Sequence, residues 1–238
     1  MTMDVLFGFW ETVASRTAPL PLFTAWLTVA AAAVLVLVPA LWRHSRHVIT
    51  LVHEGGHAVA ATLSGRRLGG IRLHSDTSGL TVSRGRPRGP GMVFTLLAGY
   101  VAPSLLGLGA ARLLSFGYSV ALLWLMLAAL ALMLVQIRNL FGLWSVAVSA
   151  AAVLGVSWFG SAGVQSVFAL LVTAVLLLGA VRAVLELHRT RSRSRHDGTS
   201  DADQLARLTH LPGVVWVAAF LIIGAACAWL GAGFLGLA

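Results

Sequence analysis

The sequence places two histidines and one glutamate in a five-residue stretch, His53-Glu54-Gly55-Gly56-His57, inside an apolar run. Positions four apart on a helix lie on one face, one turn above the other, so two such imidazoles can bind a single Zn²⁺ ion. A glutamate directly after the first histidine can reach a water molecule on that metal and exchange protons with a reacting peptide bond. We therefore identify His53 and His57 as candidate metal ligands and Glu54 as the candidate catalytic residue.

The composition indicates a protein of the lipid bilayer. Of the 238 residues, 58% are hydrophobic and only 11% are charged, whereas a soluble domain carries roughly 25% charged residues. The formal charge of +9 comes from arginine alone, mostly in short segments between apolar runs, a distribution typical of topology determinants rather than of nucleic-acid binding. Ionisable side chains are costly in lipid, which favours a function for the histidine-glutamate cluster.

Seven apolar runs predict the architecture. They cover about 22–42, 47–63, 91–114, 118–135, 140–159, 164–187 and 211–235, each close to the length that crosses a bilayer. We predict an all-α polytopic membrane protein, a single domain over residues 1–238, with six to seven transmembrane helices. Two hydrophilic segments, about 65–90 and 188–210, separate the runs, and a polar turn at 43–46 separates the first two.

The first hydrophilic segment predicts a small β-hairpin after the second span. Residues 71–74 and 80–83 alternate apolar and polar side chains around the turn-forming residues 75–79; the alternative is an irregular surface loop. An exposed strand edge can pair with an unwound peptide and present its backbone for cleavage. Leu80, Thr81 and Val82 are therefore candidate substrate-binding residues.

The arginine distribution predicts an orientation. If the seven spans alternate, the N-terminus, residues 65–90, Arg138 and residues 188–210 share one side, which then carries most of the arginines. The arginine-rich side is expected to be cytoplasmic. This predicts a cytoplasmic N-terminus and an extracytoplasmic C-terminus.

The order of these features resembles the site-2 protease family of intramembrane zinc metalloproteases. A His-Glu-Gly-Gly-His on an early membrane helix is followed by a glycine-rich hairpin and further helices, and the sequence is similar to a compact bacterial branch from about residue 45 onward. The matching pieces are HEGGHAVAATLSGRR, IRLHSDTSGLT, AGYVAPSLLG, RNLFG and SDADQLARLTHLP. The resemblance implies a protein of the bacterial inner membrane that binds Zn²⁺ and hydrolyses peptide bonds of membrane-spanning protein substrates.

The third zinc ligand is where the sequence departs from that family. Typical members supply an Asp from a later span, but this chain has no Asp or Glu between Asp76 and Glu186. Catalytic zinc requires three protein ligands and one open position. The first candidate is Asn139, which ends the short polar stretch 136–139 between two apolar runs. This stretch resembles the family's later motif. The rivals are Asp201 and Asp203, and the third choices are Asp76 and His74.

Each of these candidates also has an ordinary structural interpretation. Asn139 precedes an apolar run and is well suited to cap a helix, and the two aspartates can cap the turn that follows them. Two other functions remain open. One is a catalytically inactive relative that binds membrane partners or metal. The other is a transporter that uses Glu54 and the histidines as a relay, although no matching halves are visible in the sequence.

Overall fold

The fold is described here from a computed structural model, which covers residues 3–193 and 198–238. This part of the chain contains nine helices and one two-stranded sheet, so the prediction of an all-α polytopic protein with a small hairpin is confirmed. Residues 194–197 of the predicted hydrophilic segment lie outside the described residues. The elements in chain order are α1 Met3–Ala14, α2 Leu22–Leu37, α3 Pro39–Leu63, β1 Arg67–Leu73, β2 Gly79–Arg84, α4 Pro90–Ser115, α5 Ser119–Gln136, α6 Leu140–Phe159, α7 Ala162–Arg193, α8 Asp201–Thr209 and α9 Gly213–Phe234.

Five helices in the described ranges, α4, α5, α6, α7 and α9, are long and apolar enough to cross a membrane. The first two predicted spans instead form a bent pair, α2 and α3, with an angle of 99° between them. The break lies at Val38 and not at the predicted polar turn 43–46, which is helical. The physical reason is Pro39, which disfavours helical backbone in the preceding residue and starts α3 as its first residue.

Polar side chains of α7 stabilise this break. The indole nitrogen of Trp42 donates to the Glu186 carboxylate at 2.7 Å, and Arg46 lies 3.6 Å from the same carboxylate. Arg182 donates to the backbone carbonyl of Val36, near the end of α2, and stacks over the Trp42 ring. Carbonyl groups at a helix end have no partner within the helix, and in lipid they need one from elsewhere.

Residues 16–20 and 235–237 lie together beside the C-terminal end of α4, at the end of that helix away from the hairpin. Thr17 donates from its backbone to the carbonyl of Gly117, just beyond the end of α4, and residues 235–237 line the same cleft as residues 16–20. The bent pair α2 and α3 connects this end of the bundle to the hairpin end. The placement of the two termini on opposite sides of the membrane stays a prediction.

The hairpin forms as predicted and is anchored to the helices along β1. The strands pair antiparallel, with Ile71 opposite Thr81. On its other side β1 meets the segment before α6: Arg138 donates its backbone N–H to the Ile71 carbonyl at 2.9 Å, and Ile71 is almost completely buried. Since β1 has neighbours on both sides, the free edge of the sheet in the described residues belongs to β2.

Helices α3 and α4 approach closely at one of the two adjacent glycines. A methyl group added to Gly56 would lie 2.6 Å from the Ala102 side chain and 2.7 Å from the Ala98 carbonyl oxygen, whereas one added to Gly55 meets nothing within 4 Å. Small residues at such positions let membrane helices pack backbone to backbone. Gly56, rather than Gly55, sets the distance between the two helices.

This difference gives a stability prediction. Gly56→Ala should lower the midpoint of thermal unfolding in detergent, because overpacking typically costs about 1–3 kcal/mol. Gly55→Ala adds the same methyl group in open space and should leave the midpoint unchanged or raise it, since alanine favours a helix by up to about 1 kcal/mol. Equal destabilisation by both variants would contradict the close contact at Gly56.

Candidate metal centre

The two histidines of α3 direct their Nε2 atoms to one point. These atoms lie 3.1 Å apart, as expected for side chains one helical turn apart on the same face. The carboxylate of Asp201 completes the group, with its Oδ2 atom 3.2 Å from each Nε2. Within the described residues, this is the one group of three or more histidine, cysteine or acidic side chains with metal-binding geometry.

Asp201 reaches the histidines because a short amphipathic helix packs against the bundle. Ala202 and Leu205 of α8 are fully buried against apolar side chains of α4, α7 and α9, while Asp201 is the first residue of α8. Ser200 caps this helix by accepting from the backbone N–H of Asp203. Apolar burial on one face thus orients the helix, and the cap fixes where it begins.

Helix α4 fixes the orientation of His57. Its Nδ1 lies 2.7 Å from the backbone carbonyl of Thr95, so that nitrogen donates and Nε2 is the ring atom directed at His53 and Asp201. A Cβ atom at Gly99 would come within 2.5 Å of His57 and 2.7 Å of His53, so only glycine leaves room for both rings. The Tyr100 ring meets His53 edge-on and stacks on Phe220 of α9.

The neighbouring histidines favour the ionised form of the Asp201 carboxyl group. Burial by itself would raise the pKa of this carboxyl group, but hydrogen bonds and charge interactions with His53 and His57 outweigh it and hold the pKa well below its ordinary value. The carboxylate is therefore ionised at neutral pH. An ionised oxygen beside two imidazole nitrogens is the donor chemistry that divalent zinc takes from proteins.

Glu54 points to the hairpin rather than to open hydrocarbon. It is almost completely buried, and its Oε2 atom accepts a hydrogen bond of 2.6 Å from the Thr81 hydroxyl group of β2. The same hydroxyl group lies 3.1 Å from the Glu54 backbone carbonyl. Gly79 leaves space for the carboxylate, since a Cβ there would lie 2.5 Å from it. The hairpin thus holds the candidate catalytic group in place.

The three donors fit a zinc ion. For metal–ligand bonds of about 2.0–2.1 Å, adjacent corners of a tetrahedron lie about 3.3 Å apart. The three distances between the donor atoms, 3.1, 3.2 and 3.2 Å, match that edge length. Two neutral imidazoles and one carboxylate supply the three protein ligands of a catalytic site, and the fourth corner is left for water or substrate.

The other candidate ligands have different partners. Asn139 was the preferred third ligand, but its amide oxygen accepts from the backbone N–H of Leu73 and its amide nitrogen donates to the Leu73 carbonyl. Asp203 pairs with Arg191 at 2.8 Å. Asp76 and His74 both contact Ser78 at the hairpin turn. The geometry groups Asp201, one of the two rivals, with the histidines, whereas the Asn139 amide binds a strand end; the identity of the third ligand stays a prediction.

Sequence reasoning missed three supporting features of the centre. The roles of the Thr95 carbonyl and of Gly99 were not identified. Every residue has a backbone carbonyl, and glycine occurs at many positions, so neither feature can be recognised from residue type and spacing alone. Thr81 was assigned to substrate binding, whereas its hydroxyl group contacts Glu54. One signal was available for Gly99: it lies in the segment AGYVAPSLLG, which is one of the pieces that match the site-2 protease family.

The fold and the cluster define a polytopic membrane protein with a metal-binding geometry built on a membrane helix. The chain matches the family model described as Peptidase M50B-like over residues 26–231. It therefore belongs to this family, which is a branch of the site-2 proteases, so the resemblance inferred from the sequence is confirmed. Peptidases of this family are metalloproteases. No curated protein and no solved structure matches the chain.

The geometry predicts which substitution removes the metal. Asp201→Ala should weaken zinc binding by at least about 100-fold, since losing even a supporting residue of a metal site costs about 10–100-fold. Asn139→Ala should lower the thermal midpoint, because two hydrogen bonds to Leu73 are lost, but it should keep zinc. The measurement is zinc content after dialysis against a weak chelator. Zinc loss in Asn139→Ala with zinc retained in Asp201→Ala would reverse the assignment.

Proposed function

We propose that this protein is an intramembrane zinc endopeptidase that cleaves membrane-spanning protein substrates. The observation that carries the proposal is the convergence of His53, His57 and Asp201, whose ligand atoms lie within 4.8 Å of one another. Glu54 follows His53 directly in the same helix. Membership of the Peptidase M50B-like family supports the same reaction class.

Each side chain has a distinct role in this proposal. His53, His57 and Asp201 would hold the zinc ion, which supplies Lewis acidity toward the peptide carbonyl and toward water. Glu54 accepts a proton from the attacking water and delivers it to the leaving nitrogen. Thr81 keeps the Glu54 carboxylate in one rotamer, and the Thr95 carbonyl keeps the His57 ring aligned. Burial of Glu54 excludes competing solvent.

The free edge of β2 is the proposed binding site for the substrate backbone. Leu80 and Val82 are exposed on this strand, while Thr81 between them points to Glu54. A substrate segment that unwinds and pairs along β2 would lie next to Glu54, because one residue of the strand already contacts its carboxylate. Strand addition supplies main-chain hydrogen bonds whatever the side chains, which suits a peptidase that acts on an extended segment.

The centre lies near the end of α3 that leads into the hairpin. His57 is six residues before the end of α3 at Leu63, which corresponds to about 9 Å along a helix. Most arginines of the chain belong to the segments at this hairpin end, and few lie at the end that holds residues 16–20 and 235–237. We propose that the hairpin end is cytoplasmic.

The inactive alternative was motivated by the absence of a family aspartate between residues 76 and 186. In our proposal Asp201 serves as the third ligand in place of that aspartate, so its absence from residues 77–185 does not by itself favour an inactive protein. The transporter alternative gains no support either. A relay needs ionisable groups at successive depths of the membrane, whereas the two histidines meet at one point with Asp201 and Glu54 contacts Thr81 of the hairpin.

The direct test is cleavage of a single-span model substrate by reconstituted protein. Glu54→Gln should reduce cleavage by at least about 10²-fold, the lower end of what a general acid–base group contributes. It should leave zinc content unchanged, because glutamine keeps an oxygen for Thr81 and removes no ligand. Cleavage at the native rate by Glu54→Gln would contradict the proposal, and so would zinc-loaded native protein that cleaves none of a panel of single-span substrates.

A second prediction concerns the contact between the hairpin and Glu54. Thr81→Val keeps the shape of the side chain but removes the hydroxyl group, and it should lower kcat by about tenfold or more, as expected for loss of a hydrogen bond to a charged group. KM should change little, because the backbone edge of β2 is intact. Thr81→Ser restores the hydroxyl group and should restore kcat. A rise in KM with unchanged kcat would instead assign Thr81 to substrate binding.

A further inference from the structure

A second polar site lies between the segment that follows α3, residues 64–66, and the segment that leads from β2 into α4, residues 85–92. A cleft of about 380 Å³ is lined there by Arg66, Arg86 and Arg88, together with Ser64 and residues 89–91 at the start of α4. None of the lining residues is acidic. The cleft shares no residue with the metal centre.

Arg66 is held in a fixed position at this cleft. Its Nε donates to the Ser83 hydroxyl group at 3.0 Å, and one terminal nitrogen donates to the Arg86 carbonyl at 2.6 Å. Two of the five guanidinium N–H donors are used in this way, and three remain for a ligand. Gly85 passes close over the side chain, where a Cβ would lie 3.2 Å from it. The guanidinium group is therefore pre-organised.

Arg86 and Arg88 add two uncompensated charges. Both side chains are exposed, and within the described residues neither makes a side-chain hydrogen bond or an ion pair. Asp76 is the one acid in the sequence between residues 65 and 90, and its carboxylate is bound to Ser78 at the hairpin turn. Three guanidinium groups around a cleft form a binding site for an anion with several oxygen acceptors, such as phosphate.

The position of the cleft indicates where such an anion comes from. α4 is a candidate membrane span that begins at Pro90, so a bilayer crossed by α4 would have its headgroups at the level of the cleft. Leu63, next to Ser64, is 74% exposed, and Phe94, two residues after Met92, is 48% exposed; these apolar side chains are available to acyl chains below the headgroups. We propose that the cleft binds the phosphate group of an anionic phospholipid.

The test uses native mass spectrometry of the full-length protein in detergent, titrated with phosphatidylglycerol, phosphatidylcholine or soluble glycerol 1-phosphate. The test variant is Arg86→Gln/Arg88→Gln. The matched control is Arg67→Gln/Arg72→Gln, which removes the same charge from exposed arginines of the same segment that do not line the cleft. Zinc content and the thermal midpoint of both variants establish that they are folded.

The native protein should bind phosphatidylglycerol more tightly than phosphatidylcholine. The test variant should lose at least about tenfold in affinity for phosphatidylglycerol, and the control less than about twofold, since each arginine near an anionic lipid typically contributes about fivefold. Binding of glycerol 1-phosphate alone, lost in the test variant, would keep the phosphate site but assign it to a soluble ligand. Equal losses in both variants, or no loss in either, would overturn the proposal.

Discussion

The structure depends on three ionisable side chains that meet at one largely buried point. A carboxylate or an imidazolium group moved into a low-dielectric environment loses several kcal/mol of hydration, and no single member of the cluster could be placed there alone. Together His53, His57 and Asp201 offset that loss, because each lies 3.1–3.2 Å from the others. A divalent cation at their centre would stabilise the group further, since it satisfies all three donors at once.

Each of the surrounding elements supports this cluster by a different interaction. α4 approaches α3 where Gly56 of α3 and Gly99 of α4 leave room, and it supplies the Thr95 carbonyl group to His57. α8 docks by apolar burial of Leu205, which brings Asp201 over the histidines. The hairpin contributes one hydroxyl group, that of Thr81, to the neighbouring Glu54. Metal-site geometry commonly depends on such supporting contacts as much as on the ligands themselves.

The features predicted correctly from the sequence are those encoded by local spacing. The four-residue separation of His53 and His57 fixes their common face in any helix, and alternation around residues 75–79 predicted the hairpin. Asp201 could not be selected, because it lies 144 residues after His57 (201 minus 57) and its surroundings also match a helix start. Asn139 is the ligand candidate that the sequence favours, but in the structure its amide group pairs with the backbone of Leu73, a contact between distant segments that no local pattern encodes. The break at Pro39 was missed because hydropathy stays high across it.

The central claim is that two imidazoles and the Asp201 carboxylate hold one zinc ion. X-ray absorption spectroscopy at the zinc edge, on protein loaded with one equivalent of zinc, tests it most directly. The account predicts two histidine nitrogens and carboxylate oxygen at about 2.0–2.2 Å, and loss of one histidine contribution in His57→Ala. A spectrum of fully hydrated zinc with six oxygen ligands, or one that is unchanged by His57→Ala, would contradict it.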